Sequence, residues 1–155
     1  MGVLGSGKTT IGSLLAQQLG WEFADADSFH PPENIEKMRS GRPLSDADRE
    51  PWLKAIHSAI SEWLAAKRSV VLACSALKRS YREQLVIAPE VRLVYLKGTR
   101  DVISRRVHAR FGHFATEKLL ASQFADLEEP SAAIVVDVNQ APEEIVAQIR
   151  RELGA

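Results

Sequence analysis

The sequence feature that most constrains this chain is a glycine-rich segment at its start, which reads G-x-x-x-x-G-K-T from Gly2 to Thr9. Glycines at this spacing let the backbone curl, so that successive N–H groups converge on one anion. The amphipathic stretch 9–19 predicts a helix whose positive N-terminal end faces the same anion. We therefore predict a phosphate-binding loop, in which Lys8 reaches the β- and γ-phosphates of ATP and Thr9 offers its hydroxyl to Mg²⁺. The residues expected to contact ATP there are Gly2, Val3, Leu4, Gly5, Ser6, Gly7, Lys8, Thr9 and Thr10.

Length and charge narrow the class of protein further. A chain of 155 residues is the size of one domain, and we assign residues 1–155 to a single domain. Twenty basic and twenty acidic residues leave no net charge, which argues against a protein whose main task is binding nucleic acid. The longest apolar runs have five residues, too few to span a membrane, and the single cysteine, Cys74, allows no internal disulfide. We expect a cytoplasmic protein.

Short apolar runs alternate with longer amphipathic stretches, which predicts an α/β fold with helices on both faces of a parallel sheet. Strands are predicted at 22–25, 69–74, 91–96 and 134–137. Helices are predicted at 9–19, 80–87, 100–110, 116–126 and 142–153, with a longer one that carries Trp52 and Leu64 on its apolar stripe. Asp48 is the predicted N-cap of the long helix, which places Pro51 in the first turn.

A phosphate loop serves both small-molecule kinases and GTPase switches. A switch needs a base reader such as N-K-x-D and a D-x-x-G segment, and neither string occurs in this sequence. The pair Asp25 and Asp27 follows the first predicted strand, where residues i and i+2 project to the same side. We expect both carboxylates at the carboxyl edge of the sheet, where open α/β folds bind ligands. One would serve Mg²⁺, and the other would accept the proton of an attacking hydroxyl.

Several blocks of the chain resemble gluconokinases of the thermoresistant, P-loop type, which are related to shikimate kinases and nucleoside monophosphate kinases. The blocks begin with D-A-D-S-F-H-P at Asp25, G-R-P-L-S-D-A-D-R-E-P-W-L at Gly41 and C-S-A-L-K-R-S-Y-R at Cys74. The resemblance extends from residue 2 to about residue 137. It implies ATP-dependent phosphorylation of D-gluconate to 6-phospho-D-gluconate. A related kinase with another small acceptor such as shikimate, or an inactive truncated form, remains as the alternative.

The resemblance also implies an architecture and roles for the loop residues. The fold is expected to be a three-layer α/β/α P-loop kinase with a parallel sheet of order 2-3-1-4-5 and a lid around residues 105–125. Asp25 would assist Thr9 in holding Mg²⁺, and Asp27 would orient or deprotonate the acceptor hydroxyl. The implied catalytic residues are Lys8, Asp27 and Arg110. A homodimer is suggested by the resemblance alone.

Basic residues after the long-helix start and after the third predicted strand fit an anionic substrate, because a carboxylate favours planar, bidentate donors. We expect Arg49, Lys78 and Arg82 to contact gluconate, although exposed charged side chains are common and each could be a surface charge. His30 could contact the polyol or only pack its loop. In the lid, we expect Arg106 and Arg110 to contact ATP and His113 to contact the substrate, while Arg105 could be structural or functional.

The start of the chain carries one more expectation. A phosphate loop lies between a strand and a helix, yet only Met1 precedes Gly2. In the resembled kinases that strand is the central one. We therefore expect an apolar strand upstream of Gly2, and without it either an opening at the centre of the sheet or a sheet that has closed up. The loss of roughly five buried apolar residues, at about 1.5–3 kcal/mol each, would be comparable to the stability of a whole domain.

Overall fold

The computed structural model describes residues 1–111 and 114–155. Within them, four short strands alternate with helices, as the βα pattern predicts. The strands are β1 (Glu22–Asp25), β2 (Val70–Ala73), β3 (Val94–Lys97) and β4 (Ile134–Asp137). The helices are α1 (Lys8–Leu19), α2 (Pro32–Arg39), α3 (Asp46–Ala65), α4 (Arg79–Leu85), α5 (Arg100–Phe111), α6 (Phe114–Asp126) and α7 (Pro142–Leu153), and a one-turn 3₁₀ helix spans Ala26–Phe29.

The start of α3 differs from the sequence prediction. Ser45, not Asp48, is the N-cap, and its side chain accepts a hydrogen bond from the backbone N–H of Asp48. The Asp48 carboxylate in turn accepts from the N–H of Ser45, which completes a capping box. Asp48 was a reasonable candidate because aspartate caps helices well, but this reciprocal pair satisfies two backbone donors and extends the helix by one turn.

Two helical segments between β1 and α3 were not predicted. Asp25 caps the 3₁₀ helix by accepting the backbone N–H of Asp27 at 3.0 Å. α2 begins at Pro32, where the missing proline N–H leaves no intrahelical bond unmade. Both segments are short, and their ends are defined by capping residues and not by regularly spaced apolar side chains. The hydrophobic periodicity of the sequence therefore does not predict them.

The strands form two separate parallel pairs rather than one continuous sheet. β1 pairs with β2, and β3 pairs with β4, which corresponds to the two halves of the order 2-3-1-4-5 on either side of its central strand. Met1 and Gly2 lie at that central position. The Met1 carbonyl accepts from the N–H of Leu96 at 2.9 Å, and the N–H of Gly2 donates to the Ser75 carbonyl at 3.3 Å. The sheet centre is therefore open, one of the two arrangements that the sequence predicts.

A cavity of about 730 Å³ lies in this opening and is lined mainly by apolar side chains of α1, β2 and β3. Its walls include Ile11 and Leu15 of α1, Val71 of β2, and Val94 and Leu96 of β3. Helices connect the two sheets across it, since α1 packs on β1, β2 and α7, and α7 packs on β4. The described part of the chain contains no helix long and apolar enough to cross a membrane.

The buried side chains form two clusters, one under each half of the molecule. The first cluster joins α1, α5 and α7 to β4, with Ile103, Val136 and Ile149 almost fully buried. The second cluster packs α3 against α4 and the 3₁₀ helix, and its centre is Ile56, which is fully buried. The second cluster thereby fixes the long helix beside the loop that carries Asp27.

Replacing Ile56 by alanine should lower the free energy of unfolding by about 2–5 kcal/mol, because the removed side chain leaves a cavity in the second cluster. At roughly 2–4 °C per kcal/mol, thermal unfolding resolves this loss readily. Ser58→Ala is the matched control, since Ser58 is exposed on the same helix, and its effect should stay within about 0.5 kcal/mol. Equal melting midpoints for the two variants would contradict this packing.

Candidate active site

The glycine-rich loop has the backbone shape that anion binding needs. Gly5 and Gly7 have φ angles of 79° and 95°, in the left-handed region that favours glycine. A Cβ on Gly5 would lie 2.5 Å from the Val107 side chain, so no larger residue fits there. Ser6 is buried, and its Oγ has no hydrogen-bond partner within residues 1–111 and 114–155. An unsatisfied buried hydroxyl at the start of α1 fits a loop that closes around phosphate oxygens.

Lys8 is the first residue of α1, and it points back into the loop. Its Nζ donates to the carbonyl of Val3 at 3.0 Å. Burial lowers the pKa of Lys8, while the negative charges of Asp27 and Asp25 act in the opposite direction. The ammonium group therefore lies in a partly dry environment beside two carboxylates, where a phosphate would be a favourable partner.

The two carboxylates divide between β1 and the 3₁₀ helix. Asp25 ends β1, whereas Asp27 lies within the 3₁₀ turn, so the expected i, i+2 arrangement on one strand is wrong. The Asp25 cap turns the chain before Asp27 can extend the strand. Burial raises the pKa of Asp27, and the neighbouring Asp25 carboxylate raises it further, against the charges of His30 and Lys8. Asp27 therefore binds a proton more strongly than an ordinary aspartate does, which suits a general base.

Asp25 and Thr9 offer oxygen ligands to a cation. The Thr9 hydroxyl donates to Asp25 Oδ2 at 3.4 Å, so the two oxygens of the predicted metal site are adjacent. The described residues contain no cluster of three or more acidic, histidine or cysteine side chains that could hold a metal unaided. Mg²⁺ usually keeps several waters and binds through one or two protein oxygens together with substrate phosphates. The Thr9–Asp25 pair fits that requirement.

Trp52 of α3 anchors the turn that carries both aspartates. Its indole N–H donates to the carbonyl of Ala26 at 2.7 Å in a fully buried contact. The imidazole of His30 stacks on the same indole, with ring centroids 4.5 Å apart and planes 8° apart. The position of Asp27 and the orientation of His30 thus both depend on one side chain of the long helix.

The predicted cations Arg49 and Lys78 meet around a tyrosine. Lys78 Nζ bonds to Asp46 Oδ1 at 2.9 Å, and Arg49 Nη1 donates to the Tyr81 hydroxyl at 3.0 Å. The Tyr81 hydroxyl donates to Asp46 in turn, and these hydrogen bonds hold the pKa of Asp46 below its usual value. Arg49 also lies 3.8 Å from the carboxylate of Asp126. The two cations therefore converge on carboxylate oxygens, and Tyr81, which the sequence analysis missed, connects them.

Arg82 differs from the expectation of a substrate contact. Its Nη1 donates to the carbonyls of Ala76 and Leu77, at 3.0 and 2.9 Å, and its side chain is buried. The guanidinium stabilises the loop after β2 and lines the central cavity. Spacing gives no signal that separates the two residues, because Tyr81 and Arg82 follow Lys78 by three and four positions and both spacings place side chains on one helix face.

The predicted lid residues lie on α5. Arg106 Nη2 donates to the carbonyl of Val138, after β4, at 2.7 Å, and Arg110 lies exposed in the last turn of α5. The predicted substrate contact His113 lies outside the described residues. From α6, Gln123 Oε1 accepts the backbone N–H of Leu4 at 2.6 Å, so the second helix of this region bonds to the phosphate loop. The sequence analysis did not identify Gln123.

Comparison with known proteins gives one consistent result. The sequence model of the shikimate kinase family matches residues 4–154. A probable gluconokinase of Xenopus tropicalis is 44% identical and a thermoresistant gluconokinase of Escherichia coli K12 is 45% identical. The alignments cover 99% and 95% of this chain, and 90% and 87% of those proteins.

Solved structures agree with these similarities. The crystal structure of a gluconokinase from Sinorhizobium meliloti 1021 superposes with a TM-score of 0.87 at 45% identity, over 99% of this chain and 89% of that one. A shikimate kinase from Aquifex aeolicus superposes with a TM-score of 0.63 at 20% identity, over 99% and 93% of the two chains, which shows a shared fold.

Replacing Trp52 by phenylalanine should lower the free energy of unfolding by about 1–3 kcal/mol, because the buried carbonyl of Ala26 loses its donor. Trp63→Phe is the matched control on the same helix. Trp63 packs edge-on against Phe29, and no hydrogen bond of its indole is seen in the described part of the chain. Chemical denaturation of both variants measures the difference. A loss for Trp63→Phe equal to that for Trp52→Phe would contradict the anchoring role of the indole N–H.

Proposed function

Because the chain belongs to the gluconokinase family of P-loop kinases, we propose that it transfers the γ-phosphoryl group of ATP to the 6-hydroxyl of D-gluconate, giving 6-phospho-D-gluconate and ADP. One observation carries this proposal beyond family membership. Asp27, the candidate base, and Lys8, the phosphate-loop cation, are close enough for each to influence the other's pKa. Acceptor activation and phosphate binding would therefore occupy a single site.

The phosphate side of the site belongs to the loop and to α1. The backbone N–H groups around Gly5 and Gly7 and the N-terminal end of α1 would hold the phosphates, with Lys8 releasing the Val3 carbonyl to bind them. Thr9 and Asp25 would hold Mg²⁺. When bound, the ion would neutralise charge on the phosphate oxygens. Little covalent chemistry is asked of the protein, since positioning and charge stabilisation carry most of the catalysis of phosphoryl transfer.

The acceptor side belongs to the 3₁₀ helix. Asp27 would accept a hydrogen bond from the 6-hydroxyl, orient its oxygen towards the γ-phosphorus and take its proton as the new bond forms. The raised pKa of Asp27 suits this task, because a stronger base takes the hydroxyl proton more readily. His30 lies three residues further along, stacked on Trp52, and is available to a hydroxyl of the same substrate.

The carboxylate of gluconate would bind at Arg49 and Lys78. These cations already hold carboxylates, Asp46 and Asp126, at their ammonium and guanidinium groups. A substrate carboxylate would replace part of that arrangement, and the Tyr81 hydroxyl would be a further donor to it. Arg106 and Arg110 would approach the nucleotide from α5, as positively charged side chains that neutralise the transferring group. A cytoplasmic location and a homodimer stay predictions.

Asp27→Asn should lower kcat by about 10²–10⁴-fold, because the amide cannot accept the hydroxyl proton. ATP affinity should persist, since the loop is untouched. In the unsubstituted enzyme, kcat should fall as the pH drops through the pKa of Asp27, at a pH above the usual aspartate value. Steady-state turnover of gluconate and nucleotide binding by calorimetry measure both quantities. Asp101→Asn, at an exposed position of α5, is the control. Turnover of Asp27→Asn close to that of the control would rule out the base role.

Lys78→Met should raise the KM for gluconate by about 10–100-fold and leave the KM for ATP unchanged, because one charge-assisted contact to the carboxylate is lost. Arg79→Met is the matched control, since Arg79 is the next residue and pairs at the surface with Glu83. A coupled assay with gluconate and, in parallel, shikimate measures the effect and tests the acceptor. Equal KM values for both variants would contradict the placement of the carboxylate.

A further inference from the structure

Asn34 is a buried polar side chain directly beside His30, and the reaction scheme above does not use it. Its side chain is 3% exposed and lies in the first turn of α2, four residues after the histidine. The amide nitrogen Nδ2 lies 2.7 Å from the carbonyl oxygen of Asp48 and 3.2 Å from His30 Nδ1. One amide group therefore connects α2 to the first turn of α3 and to the imidazole ring.

The Asp48 carbonyl determines which way the Asn34 amide faces. A backbone carbonyl only accepts hydrogen bonds, so the atom 2.7 Å from it must be the amide nitrogen. The reversed amide would place two acceptor oxygens against each other at that distance. The same nitrogen therefore directs its second hydrogen at His30 Nδ1, and Nδ1 must be the unprotonated nitrogen of the ring.

A neutral histidine carries one ring proton, so the proton of His30 resides on Nε2. The stack on Trp52 fixes the plane of the ring, and the bond from Asn34 fixes its rotation within that plane. Nε2 makes no hydrogen bond within residues 1–111 and 114–155. The ring thus presents a single oriented N–H donor, on a side chain that is only half-buried.

We propose that Asn34 is a positioning residue that holds His30 as the Nε2–H tautomer and directs that N–H at a substrate hydroxyl beside Asp27. The substrate assignment rests on the proposed function, whereas the tautomer rests on the hydrogen bonds alone. The side chain of His30 then acts as a donor of fixed direction that distinguishes a hydroxyl, which accepts, from a group that only donates. Of the two roles that the sequence left open for His30, contact with the polyol or packing of its loop, this proposal selects contact with the polyol.

The charges around the ring support a neutral imidazole. Burial lowers the pKa of His30, the Arg49 guanidinium of α3 lowers it too, and the Asp27 carboxylate of the 3₁₀ helix raises it. The other groups packed on the ring, Asn34 and Trp52, are uncharged. A proton on Nδ1 would also confront the Asn34 N–H. The pKa of His30 is therefore lower in the folded protein than in the unfolded chain. As the pH falls below about 6.5, protonation of His30 in the unfolded chain decreases the free energy of unfolding.

The first experiment measures the tautomer in the unmodified protein. Histidine labelled with ¹⁵N distinguishes protonated from unprotonated ring nitrogens by long-range ¹H–¹⁵N correlation, and the spectrum of His30→Gln assigns the resonance. At neutral pH we expect Nδ1 unprotonated and Nε2 protonated, with gluconate shifting Nε2 more than Nδ1. A protonated Nδ1 would overturn the proposal. If gluconate causes no shift and no turnover, the proposed function fails, and the tautomer is judged separately.

The second experiment reverses the hydrogen bond. Asn34→Asp replaces the donor by an acceptor, which draws the proton to Nδ1 and leaves Nε2 protonated only while the ring is cationic. The KM for gluconate of this variant, relative to that of the unmodified enzyme, should rise about tenfold from about pH 6 to about pH 9. A merely structural tie between α2 and α3 would give a ratio independent of pH.

Lys37→Met is the matched control for that tie. Lys37 lies on α2 and binds the Asp48 carboxylate of α3 at 2.8 Å without touching His30. The Lys37→Met variant should have a lower free energy of unfolding, while its KM for gluconate relative to that of the unmodified enzyme stays constant with pH. A constant ratio for Asn34→Asp as well would overturn the positioning role. If Asn34→Asp does not fold, the ¹⁵N spectrum of the unmodified protein decides.

Discussion

The burial of a lysine next to two aspartates is the constraint on which the rest of the site depends. Burial lowers the pKa of Lys8, and the neighbouring carboxylates Asp27 and Asp25 offset only part of that effect. Burial raises the pKa of Asp27, and the neighbouring Asp25 carboxylate raises it further, while Lys8 acts in the opposite direction. In the proposed reaction, a nucleotide phosphate would neutralise the ammonium group of Lys8 together with these two carboxylates. The loop, the end of β1 and the 3₁₀ helix must therefore lie together.

The two sides of the site are supported by different parts of the core. The phosphate loop rests on the first cluster, through Val3, Ile11 and Val107. The turn with Asp27 rests on the second cluster, through Trp52 and Ala26. The sides meet where Thr9 bonds to Asp25 and where Met1 and Gly2 bridge the two strand pairs. The geometry of the acceptor side relative to the phosphate loop therefore depends on these hydrogen bonds together with the packing of α1 on β1, β2 and α7.

The long helix α3 carries much of the acceptor side by itself. Its capping box fixes its first turn, where Arg49 faces Tyr81 and the Asp48 carbonyl receives Asn34. One turn later, Trp52 holds both the 3₁₀ helix and the ring of His30. Arg49, the turn with Asp27 and the ring of His30 are thus all supported by α3. A shift of that helix would move all of them relative to the phosphate loop.

The local sequence pattern was sufficient to predict the strands and helices in which apolar side chains recur at regular spacing. The strands and most helices lie within a few residues of their predicted bounds, because buried runs and amphipathic stripes are properties of consecutive residues. The phosphate loop follows from its glycines, and the blocks that begin at Asp25, Gly41 and Cys74 indicated the family, which full-length relatives confirm. The family resemblance implied the order of the strand pairs, and an open centre was one of the two arrangements expected for the sheet.

Tertiary structure decided the partners of the polar side chains. Arg82 and Lys78 look alike in sequence, yet Arg82 is buried on loop carbonyls while Lys78 faces a carboxylate. Asp27 lies in the 3₁₀ helix and not in β1, because its backbone N–H donates to the Asp25 side chain. This side-chain hydrogen bond competes with extension of the strand, and the composition does not show which of the two forms. The proton on His30 depends on a carbonyl fourteen residues away from Asn34. Hydrogen bonds between distant residues carry no periodicity, so the sequence determined which groups were available and the fold determined what each of them binds.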